Sequence, residues 1–337
     1  MIKTAEAVSL GHPDKTADFI SSYILDKMIE MDPYVKYAVE VMIKDNHIIL
    51  GGEISGKINL LQLDKYVHDA ICFIGYNDKY SDRWRNCAIN PNKLQITNHI
   101  GAQSCDISRG VENNGWGDQG VFVGYACKGE QNINRELYLA KKLNFALYNL
   151  AKNSENLGLD IKTQITLDNN NRIETAIVAI PMLKNENIDD FVCDTLGEKP
   201  RNMIINGTGR YTYHSSIADC GITGRKLACD FYSTACPIGG GSPWTKDASK
   251  ADLTLNLYAR KMAVRRLYEN DECFVYLSSC IGKNKLPSAV IKTIKDNITT
   301  YESLIVEKSP NEIINEMNLR APLFSDLCIN SVSGAIY

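Results

Sequence analysis

Five consecutive residues, Gly11-His12-Pro13-Asp14-Lys15, bring an imidazole, a carboxylate and an ammonium into one short stretch of chain. Pro13 suits the first turn of a helix, and Ala17, Ile20, Ile24 and Met28 recur behind it at helical spacing, which predicts a helix over 15–31. A helix start presents unpaired N–H groups and partial positive charge, so the motif sits where phosphate is held well.

Two other readings use the same letters. One is a capping turn with surface charges. The other is the tripeptide of J-domain co-chaperones, which needs a basic helix ahead of it; only eleven residues precede His12. Glu40 interrupts the apolar run Tyr37-Ala38-Val39-Glu40-Val41-Met42-Ile43, and alternation sets it on the face opposite its neighbours. Such a carboxylate is either met by a cation or donor or left in water on an edge strand. Gly51-Gly52-Glu53-Ile54 follows. Gly115-Trp116-Gly117-Asp118-Gln119-Gly120 surrounds one carboxylate and one amide with glycines, as a ligand loop or a structural turn would.

The richest stretch runs over 206–252. It holds Gly207-Thr208-Gly209-Arg210-Tyr211, Asp219-Cys220-Gly221-Ile222-Thr223-Gly224-Arg225-Lys226, Gly239-Gly240-Gly241 and Lys246-Asp247-Ala248-Ser249-Lys250-Ala251-Asp252. Basic groups beside glycines recur three times, which suggests a polyphosphate cradle of backbone donors and cations; ordinary turns with solvated charges are the alternative. No GxxxxGK[ST] is present, so the cradle is not a P-loop.

The elements that must position these groups follow from periodicity. Strands over 37–43 and 47–54 flank a turn at Lys44-Asp45-Asn46, and a helix over 135–152 precedes strands over 162–167 and 172–180. A third, less regular set uses strands over 226–231 and 273–281 around a helix over 252–268, with helical stretches over 287–297 and 310–318. The stretch 98–120 lacks periodicity and is expected to be a long loop, functional or disordered.

The 337 residues are 44% hydrophobic and 23% charged, enough apolar material for two or three units of roughly 100–150 residues. A net charge of −3 gives no field for nucleic acid. No apolar run reaches the roughly 20 residues a bilayer needs, and no signal-peptide layout opens the chain. A cytoplasmic protein with neither nucleic-acid nor membrane partners is expected. The 11 cysteines are single, without CxxC or zinc spacing, and are read as buried free thiols. The glycosylation triplets at Asn206 and Asn297 carry no consequence without secretion.

Together, GHPDK, GGEI, GWGDQG, DCGITGRK and the GGG…KDASKAD run resemble the methionine adenosyltransferase (S-adenosylmethionine synthetase) family in kind, order and spacing over roughly residues 4–285. The resemblance implies an α+β fold of three similarly built α/β units around a pseudo-threefold axis. The units are expected at 1–102, 114–211 and 212–337, with a mobile active-site loop over 103–113 and segments free to interweave. It also implies a homodimer with shared active sites, often paired again into a tetramer.

In that family the methionine sulfur attacks the 5′ carbon of ATP, and the expelled triphosphate is cleaved to pyrophosphate and phosphate. A thioether needs no base, so such a catalyst mainly aligns the attack and stabilises the leaving polyanion. By resemblance His12, Lys162, Arg225 and Lys246 are catalytic. His12, Asp118, Asp160, Lys162, Arg210, Tyr211, Asp219, Arg225, Lys226 and Lys246 bind ATP, with Tyr211 stacking on adenine. Glu53, Gln103, Asp219, Lys250 and Ile281 surround L-methionine. Asp14 and Asp252 hold two Mg2+ per site, and Glu40 a K+.

The chain departs from the family pattern after Arg320-Ala321-Pro322, where an aromatic and His-Gly pattern is missing, and at Ile238 and Ala218, where histidine and glycine are usual. Two rivals remain: a non-catalytic regulatory paralogue, whose signature would be lost ligands, and the same fold acting on another thioether amino acid or as a triphosphate hydrolase.

Overall fold

Helix α1 (Pro13–Met31) begins at the predicted motif: His12 is its N-cap, and His12 Nδ1 accepts from the Asp14 N–H at 3.2 Å. The computed structural model describes residues 3–101 and 115–334. Ala17, Phe19, Ile20, Ile24, Leu25 and Met28 are fully buried, so α1 is enclosed on more sides than a simple amphipathic surface helix.

Among the described residues three four-stranded sheets carry the fold. The first is β1 (Lys3–Val8), β6 (Lys162–Leu167), β7 (Ile173–Ala179) and β8 (Asn202–Ile205) in that order. The second is β12 (Ile298–Ser303), β11 (Ser288–Lys295), β10 (Glu272–Ser279) and β5 (Gly120–Cys127). The third is β4 (Gln95–Gly101), β3 (His47–Ser55), β2 (Lys36–Lys44) and β9 (Gly221–Ile222). Each draws strands from distant parts of the chain: Lys3 faces Leu167, Met42 faces Ile222, and Glu272 faces Cys127. Around them pack α2 (Leu63–Ile74), α3 (Asp78–Trp84), α4 (Arg135–Asn153), α5 (Asp189–Leu196), α6 (Ala251–Arg266), α7 (Pro310–Glu316) and α8 (Phe324–Gly334). The α+β expectation and its three-part build are borne out.

Two local expectations fail. Lys226–Phe231 is not a strand, because Leu227–Asp230 forms a helical turn in which Lys226 O accepts from the Cys229 and Asp230 N–H groups at 3.0 and 3.1 Å. That turn carries Asp230 inward to Lys15. Residues 287–297 are not helical either: Val290, Ile291, Thr293 and Ile294 are β-branched and lie in β11. Asp296 and Asn297, with φ of 50° and 64°, supply the two left-handed residues of a tight hairpin to β12. The predicted loop over 98–120 begins later than expected, since 98–101 belong to β4; 102–114 lie outside the described residues. The thiol reading holds in part: of the ten described cysteines five are buried and five half-buried, and all ten are free. Among the described residues no helix is long and apolar enough to cross a membrane.

One buried ionic network ties α1 to the rest. Lys15 Nζ lies 2.9 and 3.0 Å from the Asp230 carboxylate oxygens and 3.4 Å from Asp18 Oδ2. Trp244 Nε1 donates to Asp230 at 2.7 Å, and the Lys15 ammonium sits 5.1 Å from the centre of the Trp244 ring. Burial works against the lysine charge, but Asp230, Cys328 and Asp18 together outweigh it and hold the ammonium protonated above its usual range. Replacing Lys15 with Met would leave two buried carboxylates without their cation. A loss of about 3–5 kcal/mol is expected in urea unfolding; a loss below about 1 kcal/mol would show that the network does not hold the fold together.

Candidate active site

The N-terminal turn of α1 receives two chain segments. One is 159–162: Ser9 N–H donates to Ile161 O at 3.0 Å, and Ser9 Oγ to Leu159 O at 2.5 Å, so Asp160 and Lys162 are laid beside the motif. The other is the stretch 219–226. Only glycine fits at 221, since an added Cβ would lie 2.2 Å from Pro13 O. Asp14, fully buried, fastens this stretch: Oδ1 accepts from the Ile222 N–H at 2.9 Å, Oδ2 from Lys226 Nζ at 2.6 Å, and Arg225 Nε lies 3.6 Å away. Asp18, one turn further on, accepts from the Gly224 N–H at 2.8 Å.

The electrostatics join these groups. His12 is 5% exposed, and burial, reinforced by Lys226 and opposed by Asp14, lowers its pKa to about 4; Lys162 and Asp219 also act on it. Because Nδ1 accepts from a backbone N–H, the neutral ring carries its proton on Nε2 and is a donor there. Asp160 is pushed up to about 7 by burial, while the Ser215 N–H at 2.9 Å and Lys162 oppose the shift. Tyr211 feels the Asp160 charge, and burial keeps its phenol protonated. His12, Asp14, Asp160, Lys162, Tyr211, Asp219, Arg225 and Lys226 thus form one group. Arg210, beside Tyr211, is turned to Met182 O and Leu183 O at 3.3 and 2.9 Å.

A second group lies at the start of α6. Lys246 pairs with Asp252, Lys250 is the N-cap residue, and Gly241 approaches so closely that a Cβ there would be 2.1 Å from Asp252 Oδ1. Asp247 anchors the stretch by accepting from the Tyr37 N–H at 2.8 Å. Lys246 bridges to Ala38 on β2, and Ala38 faces Glu53 on β3. Asp118 and Ile281 are exposed residues just before β5 and just after β10, where Trp116 bridges to Ile281. Gln103 lies outside the described residues.

Glu40 links the two groups. It projects from β2, between buried Val39 and Val41; one carboxylate oxygen accepts from Thr223 Oγ1 and the other from Thr245 Oγ1 at 3.0 Å. The edge-strand alternative fails in one part and holds in the other: β2 lies between β3 and β9, yet Glu40 is exposed. Sequence reasoning missed Thr223, Thr245 and Asp18. Asp18 was within reach, being four residues, one helical turn, after Asp14; the threonines act only through folding that brings them to Glu40.

Residues 1–105, 113–212 and 214–335 match the N-terminal, central and C-terminal domains of S-adenosylmethionine synthetase. The chain belongs to the S-adenosylmethionine synthetase family. An S-adenosylmethionine synthase of Helicobacter acinonychis is 31% identical, with 96% of this chain and 90% of the relative aligned. One from Mesoplasma florum is 31% identical, with 95% and 92% aligned. A solved structure described as an unusual S-adenosylmethionine synthetase from Campylobacter jejuni matches with a TM-score of 0.86 at 28% identity, over 99% of this chain and 95% of that one.

The burial of His12 is directly testable in this synthetase-family chain. An unfolded imidazole titrates near 6.5 and the folded one near 4. The unfolded state therefore binds the extra proton between these values, and the stability His12 contributes, complete above about 6.5, is lost as pH falls toward 4. The His12 ring resonance, assigned by comparison with His12→Asn, is expected to stay flat from pH 8 to 5.5 in an NMR titration. A midpoint near 6.5 would place the ring in water.

Proposed function

We propose that this chain makes S-adenosylmethionine from L-methionine and ATP, releasing triphosphate that it cleaves to pyrophosphate and phosphate. The observation that carries the reading is the convergence of a neutral His12 donor, Lys162, Arg225 and Lys226 on the N-terminal turn of α1. The attacking sulfur needs no proton removed, so the reaction asks for alignment and for charge stabilisation at the departing polyphosphate. His12 Nε2–H would donate to the oxygen released from the 5′ carbon. Lys162, Arg225, Lys226 and Lys246 would meet the phosphates, Arg210 and Tyr211 the nucleoside end, and Asp118, Asp160 and Asp219 further nucleotide contacts. Glu53, Asp219 and Gln103 would surround the methionine amine, Lys250 its carboxylate, and Ile281 its apolar body.

The charge count supports a metal requirement. Lys162, Arg210, Arg225, Lys226, Lys246 and Lys250 face Asp14, Glu40, Glu53, Asp118, Asp160, Asp219 and Asp252, so the protein side chains bring no excess positive charge to a polyanion. Asp14 and Asp252, carboxylates with spare lone pairs, would hold the two Mg2+. Bound there, they supply the missing positive charge. Lys226 and Lys246, now paired with those carboxylates, would then be released toward the phosphates. Glu40, Thr223 and Thr245 gather oxygen donors, as a K+ site requires.

A second copy of the chain would complete the site. Support comes from the third sheet, whose outward side chains include Met42 and Ile49, 41% and 39% exposed. The proposed organisation is a homodimer with shared active sites, with pairing into tetramers as a further level; the units 1–102, 114–211 and 212–337 with an active-site loop over 103–113 belong to the same proposal, as does action in the cytoplasm.

Purified protein incubated with ATP, methionine, Mg2+ and K+ is expected to yield S-adenosylmethionine together with phosphate, measured by mass spectrometry and colorimetry. Phosphate without the sulfonium product would support a hydrolase or another thioether substrate, and neither product would support a regulatory paralogue. In the same assay Lys246→Ala and Asp252→Asn should each lower kcat by at least about a hundredfold. Near-normal turnover in either removes its role. Glu40→Gln should erase the rate difference between potassium and sodium buffers, and a surviving difference would contradict the cation assignment.

A further inference from the structure

A cavity of about 350 Å³ lies between β1, α4 and α8; it shares Lys15 and Asp230 with the buried network, and none of the residues assigned to the reaction lines it. That volume lies at the small end of the range for pockets that take a small organic molecule. Its walls are mostly apolar, with Leu10, Phe145, Tyr148 and Ile329 among them, and its charged residues are Lys15, Lys141, Lys142 and Asp230.

These charges are not balanced. Asp230 is already committed to Lys15, which grips both of its oxygens, and to the Trp244 N–H. Lys141 Nζ donates instead to two neutral acceptors, Ser331 Oγ at 2.7 Å and Ser333 Oγ. Among the described residues no carboxylate lies within ion-pair distance of Lys141 or Lys142. An ammonium has three donors, so two hydroxyls leave Lys141 one to give. Burial pulls its pKa down to about 8; Asp230 is the strongest charge acting on it and opposes the shift, while Lys15 and Arg260 add to it. With the nearby Asp230 held by Lys15 and Trp244, the remaining donor of Lys141 at an apolar wall is a receptor for an anion.

The backbone on the α8 side is shaped for this contact. Ser331 takes φ 62° and ψ 168°, a region ordinarily reserved for glycine, and it is one of the two hydroxyls that fix the Lys141 ammonium. This is the same C-terminal stretch in which the chain departs from its family's pattern.

We propose that the cavity between β1, α4 and α8 is a second binding site, for a small organic carboxylate with an apolar body, whose carboxylate meets Lys141 and Lys142 while the body lies against Phe145 and Tyr148. The site is separate from the one assigned to methionine, in which Lys250 would meet the carboxylate.

The test is calorimetric titration of the full chain with phenylacetate at pH 7 and low salt. Saturable one-to-one binding is expected, and Lys141→Met should weaken it about tenfold or more, the worth of a charge-assisted hydrogen bond. 2-Phenylethanol, with the same ring and no charge, should bind weaker by a similar factor. Phe145→Ala alters a side chain that is 62% exposed, so it can be expected to fold even if Lys141→Met does not, and it should weaken phenylacetate as well. Lys250→Ala should leave phenylacetate affinity unchanged. Absence of saturable binding, equal affinity for the alcohol, unaltered affinity in both cavity variants, or loss in Lys250→Ala would each overturn the proposal; the last would place the anion in the proposed methionine site instead.

Discussion

The structure depends on how carboxylates on one helical turn are satisfied away from water. Asp14 and Asp18, four residues apart on α1, each accept a backbone N–H from the stretch 219–226, while Lys15 between them turns to Asp230. A carboxylate costs several kcal/mol to bury unless donors and cations meet it, so these three contacts oblige the later segment to fold onto the first motif. The segment arrives carrying Asp219, Arg225 and Lys226. The contacts that hold α1 in the fold are therefore the contacts that assemble the charged pocket.

The same constraint explains why the pocket is nearly neutral in itself. A bare cluster of lysines and arginines at a buried helix start would repel itself, and three of the cations here have a carboxylate or a carbonyl within reach: Lys226 with Asp14, Lys246 with Asp252, Arg210 with the carbonyls at 182 and 183. Such pairs can exchange partners when a polyanion and its counter-ions enter. Neutral His12 adds a hydrogen-bond donor without adding charge. Glu40, reached by Thr223 from one group and Thr245 from the other, makes the two halves answer to one residue.

Much of this was legible in the sequence because the motifs are short and local. Pro13 with the apolar spacing behind it gave α1, and the alternation around Glu40 gave β2 and its exposed face. The errors share a cause. The stretch expected as a strand over 226–231 instead forms a turn that sets Asp230 against Lys15, 215 residues away in sequence, and the stretch expected as a helix over 287–297 follows its β-branched residues. Sheet membership was illegible for the same reason. Pairings such as β1 with β6 or β9 with β2 leave no local periodicity, and neither do hydroxyls such as Thr245 that matter only once folding has brought them to a carboxylate.

The claim at the centre of this account is that folding the stretch 219–226 onto α1 creates a polyphosphate cradle. Calorimetric titration of the wild-type chain with tripolyphosphate in the presence of Mg2+ tests it without reference to turnover. One-to-one binding is predicted, weakened by at least about tenfold in Arg225→Ala and again in Lys226→Met, in keeping with the loss of one charge-assisted contact in each. Tripolyphosphate that fails to bind, or binds both variants as tightly as the wild type, would contradict the account.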